Sequence, residues 1–267
     1  MRVVLGVALV GLVACVGCGP EPEAVSQEPI QPKVSKEAVS PEPPSPRFSQ
    51  EEAVAAIKEM GGKVWFEDDK TMVNLAHCEV TVAGMAHLKG LRKLYHLFLV
   101  DSSVTDAGLV HLERLPNLRG LHLDKTGVTN AGLEHLKGLR KLHYLALTGS
   151  RVTGAGLVHL KRLPNLRGLV LGKIDVNDEG LEHLKGLTKL QVLNLRYTDV
   201  NDEGLEHLKG LTKLEWLSLR YTDVNDAGLE HLKELRNLGL LSLQGTKVTD
   251  AGIKQLQQAL PNCEIEY

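Results

Sequence analysis

The chain has 267 residues, a formal net charge of −2 and a hydrophobic fraction of 43%, an ordinary balance for a globular composition. Charge this close to neutral leaves no overall basic footprint, so nucleic acid is not expected as a partner. Three Phe, two Trp and five Tyr stand against abundant Leu, which points to a layered, repetitive core.

In chain order, residues 1–18 come first. Arg2 gives a positive start and Val3 to Gly17 form an apolar run too short for a membrane-spanning helix, which needs about 20 residues. The run suits the apolar region of a secretory signal. It contains Leu12-Val13-Ala14-Cys15, with Cys18 three residues on. This stretch resembles the lipobox of bacterial lipoproteins, a resemblance that implies lipidation of Cys15 or Cys18. A plain cleaved signal with incidental cysteines is the alternative. An exported, lipid-anchored protein of the cell envelope, facing the periplasm or the surface, is the expected location.

Residues 19–48 hold eight of the eleven prolines among Glu, Ser and Gln, so they are expected to be a disordered linker. Residues 49–69 are expected to form an N-terminal helix-strand cap. Ser49 and Glu52 have capping-box spacing, Gly61-Gly62 stops the helix, and Val64-Trp65-Phe66 starts an edge strand.

From residue 70 to 262 a 24-residue period repeats, aligned on Leu94, Leu118, Leu142, Leu166, Leu190, Leu214 and Leu238. The shared pattern is LxxLxLxxTxVTDAGLxHLxxLxx. It resembles the leucine-rich repeat family, and its T-D-A-G-L tract is similar to the cysteine-containing subclass of F-box proteins. The resemblance implies an α/β fold: a right-handed, curved solenoid of about eight repeats, with short parallel strands on the concave face and helices on the convex face. Residues 263–267 then read as a C-terminal cap strand, with Cys263 in a leucine position.

The residues point the same way. LxxLxL alternates at strand spacing. A ladder of Cys78, Ser102, Thr126, Ser150, Ile174, Thr198, Thr222 and Thr246 follows; its hydroxyls are expected to satisfy turn groups of neighbouring coils. Ile174 lacks one, which predicts a local irregularity there. Thr105, Thr129, Thr153, Asn177, Asn201, Asn225 and Thr249 suit helix N-caps. Leu109, Leu112 and Leu115 mark a helix of two to three turns. Gly108 and its equivalents predict close packing between coils. Cys78 and Cys263, at opposite ends of a linear fold, are too far apart for a disulfide, and both are expected to be buried small hydrophobes.

Chemistry is harder to find. Seven histidines, His87, His111, His135, His159, His183, His207 and His231, share one repeat position and read as structural copies. His96, His122 and Asp124 lie on adjacent coils and are metal-ligand types, but no H-E-x-x-H accompanies them. No P-loop, nucleophile elbow or paired CxxC occurs. No catalytic residue, metal or cofactor is assigned, and the protein is expected not to be an enzyme.

The concave face is the informative surface. His96, Phe98, His122, Asp124, Tyr144, Thr148, Val192, Asn194, Arg196, Trp216, Ser218, Arg220, Leu240 and Gln244 are expected to point outward from it. Phe98, Tyr144, Trp216, Arg196 and Arg220 are residues of the kind that anchor interfaces. Gly120, Ala146, Gly168, Val170 and Gly172 form a bland saddle between them. Blocks 177–200 and 201–224 agree at 21 of 24 positions, and the differences are Gln191/Glu215, Val192/Trp216 and Asn194/Ser218. The copies preserve the scaffold and vary on this face. A protein or peptide partner is the first reading, and carbohydrate suits aromatics and arginine as well. A structural, self-associating envelope protein is the alternative. The F-box likeness adds a third, substrate adaptor in ubiquitin ligation, which an export signal opposes.

Overall fold

The structure, a computed structural model, describes residues 48–267. The expected signal, both candidate lipidated cysteines and nearly all of the linker lie outside the described residues. Among the described residues no helix is long and apolar enough to cross a membrane.

Helix α1 spans Gln50–Glu59 and is closed at its start by a full capping box between Ser49 and Glu52. Strands β1 (Lys63–Glu67) and β2 (Lys70–Asn74) form an antiparallel hairpin. Eight further strands follow: β3 (Leu94–Phe98), β4 (Gly120–His122), β5 (Tyr144–Ala146), β6 (Gly168–Val170), β7 (Val192–Asn194), β8 (Trp216–Ser218), β9 (Leu240–Ser242) and β10 (Glu264–Glu266). All ten lie in sequence order in one sheet, parallel from β2 onward. The register advances by one period per strand, so His96, Gly120, Tyr144, Gly168, Val192, Trp216 and Leu240 form one row across the sheet. The alternate leucines, Leu97 through Leu241, turn the other way and are fully buried.

Helices lie behind the sheet: α2 (Val82–His87), α3 (Asp106–Leu109), α4 (Asn130–Glu134), α5 (Asp178–Glu182), α6 (Asp202–Leu205), α7 (Asp226–Leu229) and α8 (Asp250–Ala259). Most are shorter than the expected two to three turns. In α3, α6 and α7 one α-turn passes directly into a 3-10 turn. A 24-residue coil that must also form a strand and two bends leaves little chain for a longer helix, and the tighter 3-10 turn closes it.

The coils are stitched by the residue after each helix N-cap. Asp202 Oδ1 accepts the backbone N–H of Asn225 at 2.8 Å, and Oδ2 accepts from its side-chain amide. Asp106 binds Thr129 in the same way, Asn130 binds Thr153, Asp178 binds Asn201, and Asp226 binds Thr249. The repeated glycine makes room for this link. A methyl group on Gly132, Gly204, Gly228 or Gly252 would collide with the carboxylate oxygen of the preceding coil. Close packing between coils therefore has a specific cause.

Several expectations need correction. The ladder hydroxyls act within their own coil: Thr126, Thr198 and Thr222 donate to Leu123, Leu195 and Leu219 carbonyls at 2.6–2.7 Å. Thr105 and Thr153 make no side-chain cap bond, although five of the expected caps do. Cys78 is only half-buried, because the cap covers that coil incompletely; Cys263 is buried, and both are free thiols. At Ile174 the strand register is unbroken. The side chain is simply buried, and the local change is a tight turn in which Val176 N–H donates to the Ile174 carbonyl. The larger irregularity lies one coil earlier. Gly154 cannot stitch to Asn177, the whole of Gly154–Arg162 is 3-10 helix, and Ser150 Oγ has no partner. There the backbones of Gly154 and Gly180 meet so closely that a methyl on Gly180 would lie 2.7 Å from Gly154 Cα.

Candidate functional site

The open face of the sheet carries the expected site residues, and the structure divides them into two groups. In the first half the rings stack. Trp65 lies 6.2 Å from Phe98, Phe98 lies 4.5 Å from His122, and His122 lies 4.6 Å from Tyr144. These contacts bridge strands β1 to β5. Trp65 joins because the β1–β2 hairpin extends the same sheet. The sequence reading set it aside as part of a cap; its alternation with Val64 in an edge strand was the available signal. His96 stacks at 6.0 Å on Phe98 and lies over Gly120, where any Cβ would strike the imidazole.

His96 thus stands on the expected face but is covered there, 5% exposed. Burial pushes the imidazoles of His96 and His122 down to about 4, with His96 adding to the effect at His122, so both rings are neutral near pH 7. Burial, then Asp124, raises the Tyr144 phenol to about 12. Asp124 is raised by burial, opposed by bonding to Thr148 and by the positive charge of Arg196; Thr148 N–H donates to Oδ1 at 3.1 Å. The three candidate ligands thus belong to a stacked, partly desolvated surface. Among the described residues no group of three or more His, Cys, Asp or Glu could hold a metal.

The second half is built differently. Val192 and Ser218 are buried at 5% and 1% exposure, because short side chains on a curved sheet are covered by longer neighbours. Trp216 is half-buried rather than fully exposed. It is absent from the cation–π pairs of the described residues, which join Lys70 and Arg119 to Tyr95 and Lys173 to Tyr197. Asn194 Oδ1 accepts the Arg196 N–H at 3.0 Å, and Arg196 is exposed, its stem lying over Gly172. Leu240 is half-buried on the next strand. Gln244 is turned toward the chain end, where its amide donates to Glu266 at 3.2 Å. Arg220, half-buried, lies close enough to Glu266 to help hold that carboxyl below its usual range, after the bonds from Ser242 and Gln244.

At the rim, Tyr197 and Tyr221 stack at 4.4 Å and 9°, each nearly half exposed. Both have φ of +55°, a left-handed backbone that Gly149 and Gly245 adopt in the same loop position. Gly245 also leaves space for the Tyr221 ring, which a methyl there would strike. The histidine ladder on the helices is less regular. His135 Nδ1 lies 3.2 Å from Glu113, His87 bonds the Ala83 carbonyl, and the Nδ1 atoms of His111, His183 and His207 are buried without a partner.

A leucine-rich repeat family model matches residues 186–209. Internalin C2 of Listeria monocytogenes is similar in structure, with 26% identity, a TM-score of 0.59, and coverage of 73% of this chain and 79% of its own. Internalin F of the same organism has 18% identity and a TM-score of 0.53, over 73% of this chain and 66% of its own; at that identity the likeness shows the fold alone. Comparison with curated proteins finds no match. The matches support the leucine-rich repeat family. The architecture is the α/β repeat pattern of that fold, whose typical role is a non-enzymatic scaffold for protein interaction.

Proposed function

We propose that this chain is a non-enzymatic protein-binding module, exported and held in the cell envelope by lipid on Cys15 or Cys18. Its binding surface is the concave side of a right-handed solenoid of about eight repeats, and its partner is a protein or peptide segment. The observation that carries this reading is the open face itself. A ring stack from Trp65 to Tyr144 stands on one side, Trp216 with Arg196 and Arg220 on the other, and Ala146 and Gly168 form a low floor between. Rings already locked by stacking lose little further freedom when a partner arrives, which limits the entropic cost of binding. Phe98, Tyr144, Trp216, Arg196 and Arg220 are the anchors.

The test is affinity capture by the purified protein, compared with its Trp216→Ala and Arg220→Ala variants. Each variant is expected to weaken capture by about tenfold or more, the range of an interface hot spot, while the thermal midpoint stays nearly unchanged. Full capture by both variants would remove the concave-face reading. Dimerisation in light scattering that Trp216→Ala abolishes would replace the partner with a second copy.

A further inference from the structure

We infer that the edge of the solenoid from which the strands begin docks on an anionic membrane surface, so that the module stands edge-on above the lipid. This rests on the reading that the N-terminus is held at a membrane, and it adds an orientation and a second contact surface.

The segments that lead into β3 to β7 place a cation on the same edge in each coil. They include Arg92, Arg119, Arg140, Lys141, Arg162 and Arg167, all exposed except the half-buried Arg119. Among the described residues no arginine is in a salt bridge, although lysines elsewhere are repeatedly paired. Neutral amides hold this row in place. Asn117 and Asn165 donate to the Arg92 and Arg140 carbonyls at 2.9 Å, and they accept from Lys141 and Lys189 at 2.9 and 2.8 Å. The edge is thus ordered without being neutralised.

Acidic groups near it are few and mostly engaged. Asp69 pairs with Lys93, and Glu113 with His135 and Lys137. Glu52 is tied to Ser49, leaving Glu51 in the first turn of α1. His143 sits within the row and is held below its ordinary range by burial first; Arg119, Arg167 and Lys189 push the same way. The opposite edge is mixed: Asp175, Asp199, Asp223 and the stitching carboxylates Asp178, Asp202 and Asp226 stand among Lys125, Arg151, Lys173 and Lys247, and Lys247 pairs with Asp223. Opposite charges are interleaved there, whereas the row from Arg92 to Arg167 is cationic.

The chain joins the fold at the basic edge. A methyl on Gly90, two residues before Arg92, would lie 2.5 Å from the Ser49 carbonyl oxygen and 3.0 Å from that of Phe48. The apolar run from Val3 to Gly17 precedes that point in the chain. A tether attached at Phe48 would bring the cations beside it toward the surface. Strands about 4.8 Å apart spread the row over roughly 20 Å from β3 to β7, a spacing that suits a plane of phosphates better than one small anion. The guanidinium fork matches phosphate oxygens, and attraction to an anionic surface accumulates with each cation held within a Debye length.

The test is co-sedimentation of the full chain with phosphatidylcholine vesicles and with vesicles in which one third of the lipid is phosphatidylglycerol, at about 0.1 M salt. The N-terminal apolar run contributes to both; the edge contributes the difference. Phosphatidylglycerol is expected to raise partitioning by about tenfold or more. Replacing Arg140, Lys141, Arg162 and Arg167 together with Glu is expected to remove that increment and leave binding to phosphatidylcholine unchanged. Reversing Lys185, Lys209, Lys233 and Lys247 instead makes the same change in net charge and is expected to keep it. An absent increment, or equal loss in both variants with native circular dichroism, overturns the proposal. So does duplex DNA that displaces the protein from the vesicles through the same four residues, which would make the edge a nucleic-acid surface. Binding only to the anionic vesicles would uphold the edge and refute the anchor. Retention of the increment by Trp216→Ala and Arg220→Ala separates this surface from the concave one.

Discussion

The two halves of the open sheet face share one scaffold and differ in what they do with it. On β1 to β5, rings bridge neighbouring strands and shield one another, so that two histidines are neutral and one, His96, is buried. On β7 to β9, Trp216 has no ring partner among the described residues and Arg196 stands free. Between them lies the coil in which Gly154 cannot stitch and the helix is wholly 3-10. The first half holds its rings in a preassembled stack that also supports the fold; the second presents Trp216 singly. A ring fixed by its neighbours has less freedom to lose to a partner than one that must be ordered on contact.

Paired substitutions would break or sharpen that contrast. Phe98→Ala removes the ring that joins Trp65 to His122 and is expected to cost about 3 kcal/mol in urea unfolding, near the lower end for a large aromatic truncation. Trp216→Ala is expected to cost about 1 kcal/mol. Equal losses would show that both halves are built alike.

A second difference is acid sensitivity. The folded His96 has its affinity for protons depressed to about 4, against 6.5 for an ordinary imidazole. Below pH 6.5 the unfolded chain takes up a proton that the folded chain refuses, so stability falls with pH until about 4 and then levels. The sign follows from the unfolded state binding more protons, and the loss is on the order of 3 kcal/mol from His96. His96→Leu is expected to make that limb shallower in pH-dependent urea titrations, with His122, also depressed to about 4, supplying the remainder. An unchanged limb would move the acid response elsewhere.

The smallest effect tests the stitching. Asp202→Ala deletes both bonds to Asn225 and is expected to cost about 1 kcal/mol, the net worth of a typical hydrogen bond after solvent exchange. Gly154→Ala, where no such bond exists, meets the Gly180 Cα at 3.0 Å and is expected to destabilise by crowding instead. Crystal structures of the two variants would tell loss of a bond from displacement of a backbone.

Much of this molecule was legible in its letters. A 24-residue period with leucines at fixed places leaves few ways to bury them, so strands, helices and stacking followed from pattern alone. The capping box at Ser49 and Glu52 and the final strand could be read in the same way. The membership of the open face was also readable, because alternation in LxxLxL assigns each residue to one side. What the pattern could not supply was the cover over each member. His96 is buried because position 120 happens to be glycine, and Ser218 is 1% exposed although it stands on the same open face. Nor could it show that Asp202 and its equivalents, which look like helix-dipole acids, reach across to the next coil.

The sequence by itself determined the period, the buried leucine rows and the side of the sheet on which each residue stands, because these depend only on spacing along the chain. The tertiary structure decided which of the outward residues remain open, where the stitching fails at Gly154, and that Arg92 lies beside the point where the chain joins the fold. Those depend on distances between coils that are 24 residues apart in sequence yet hydrogen-bonded in space, and no local pattern records them.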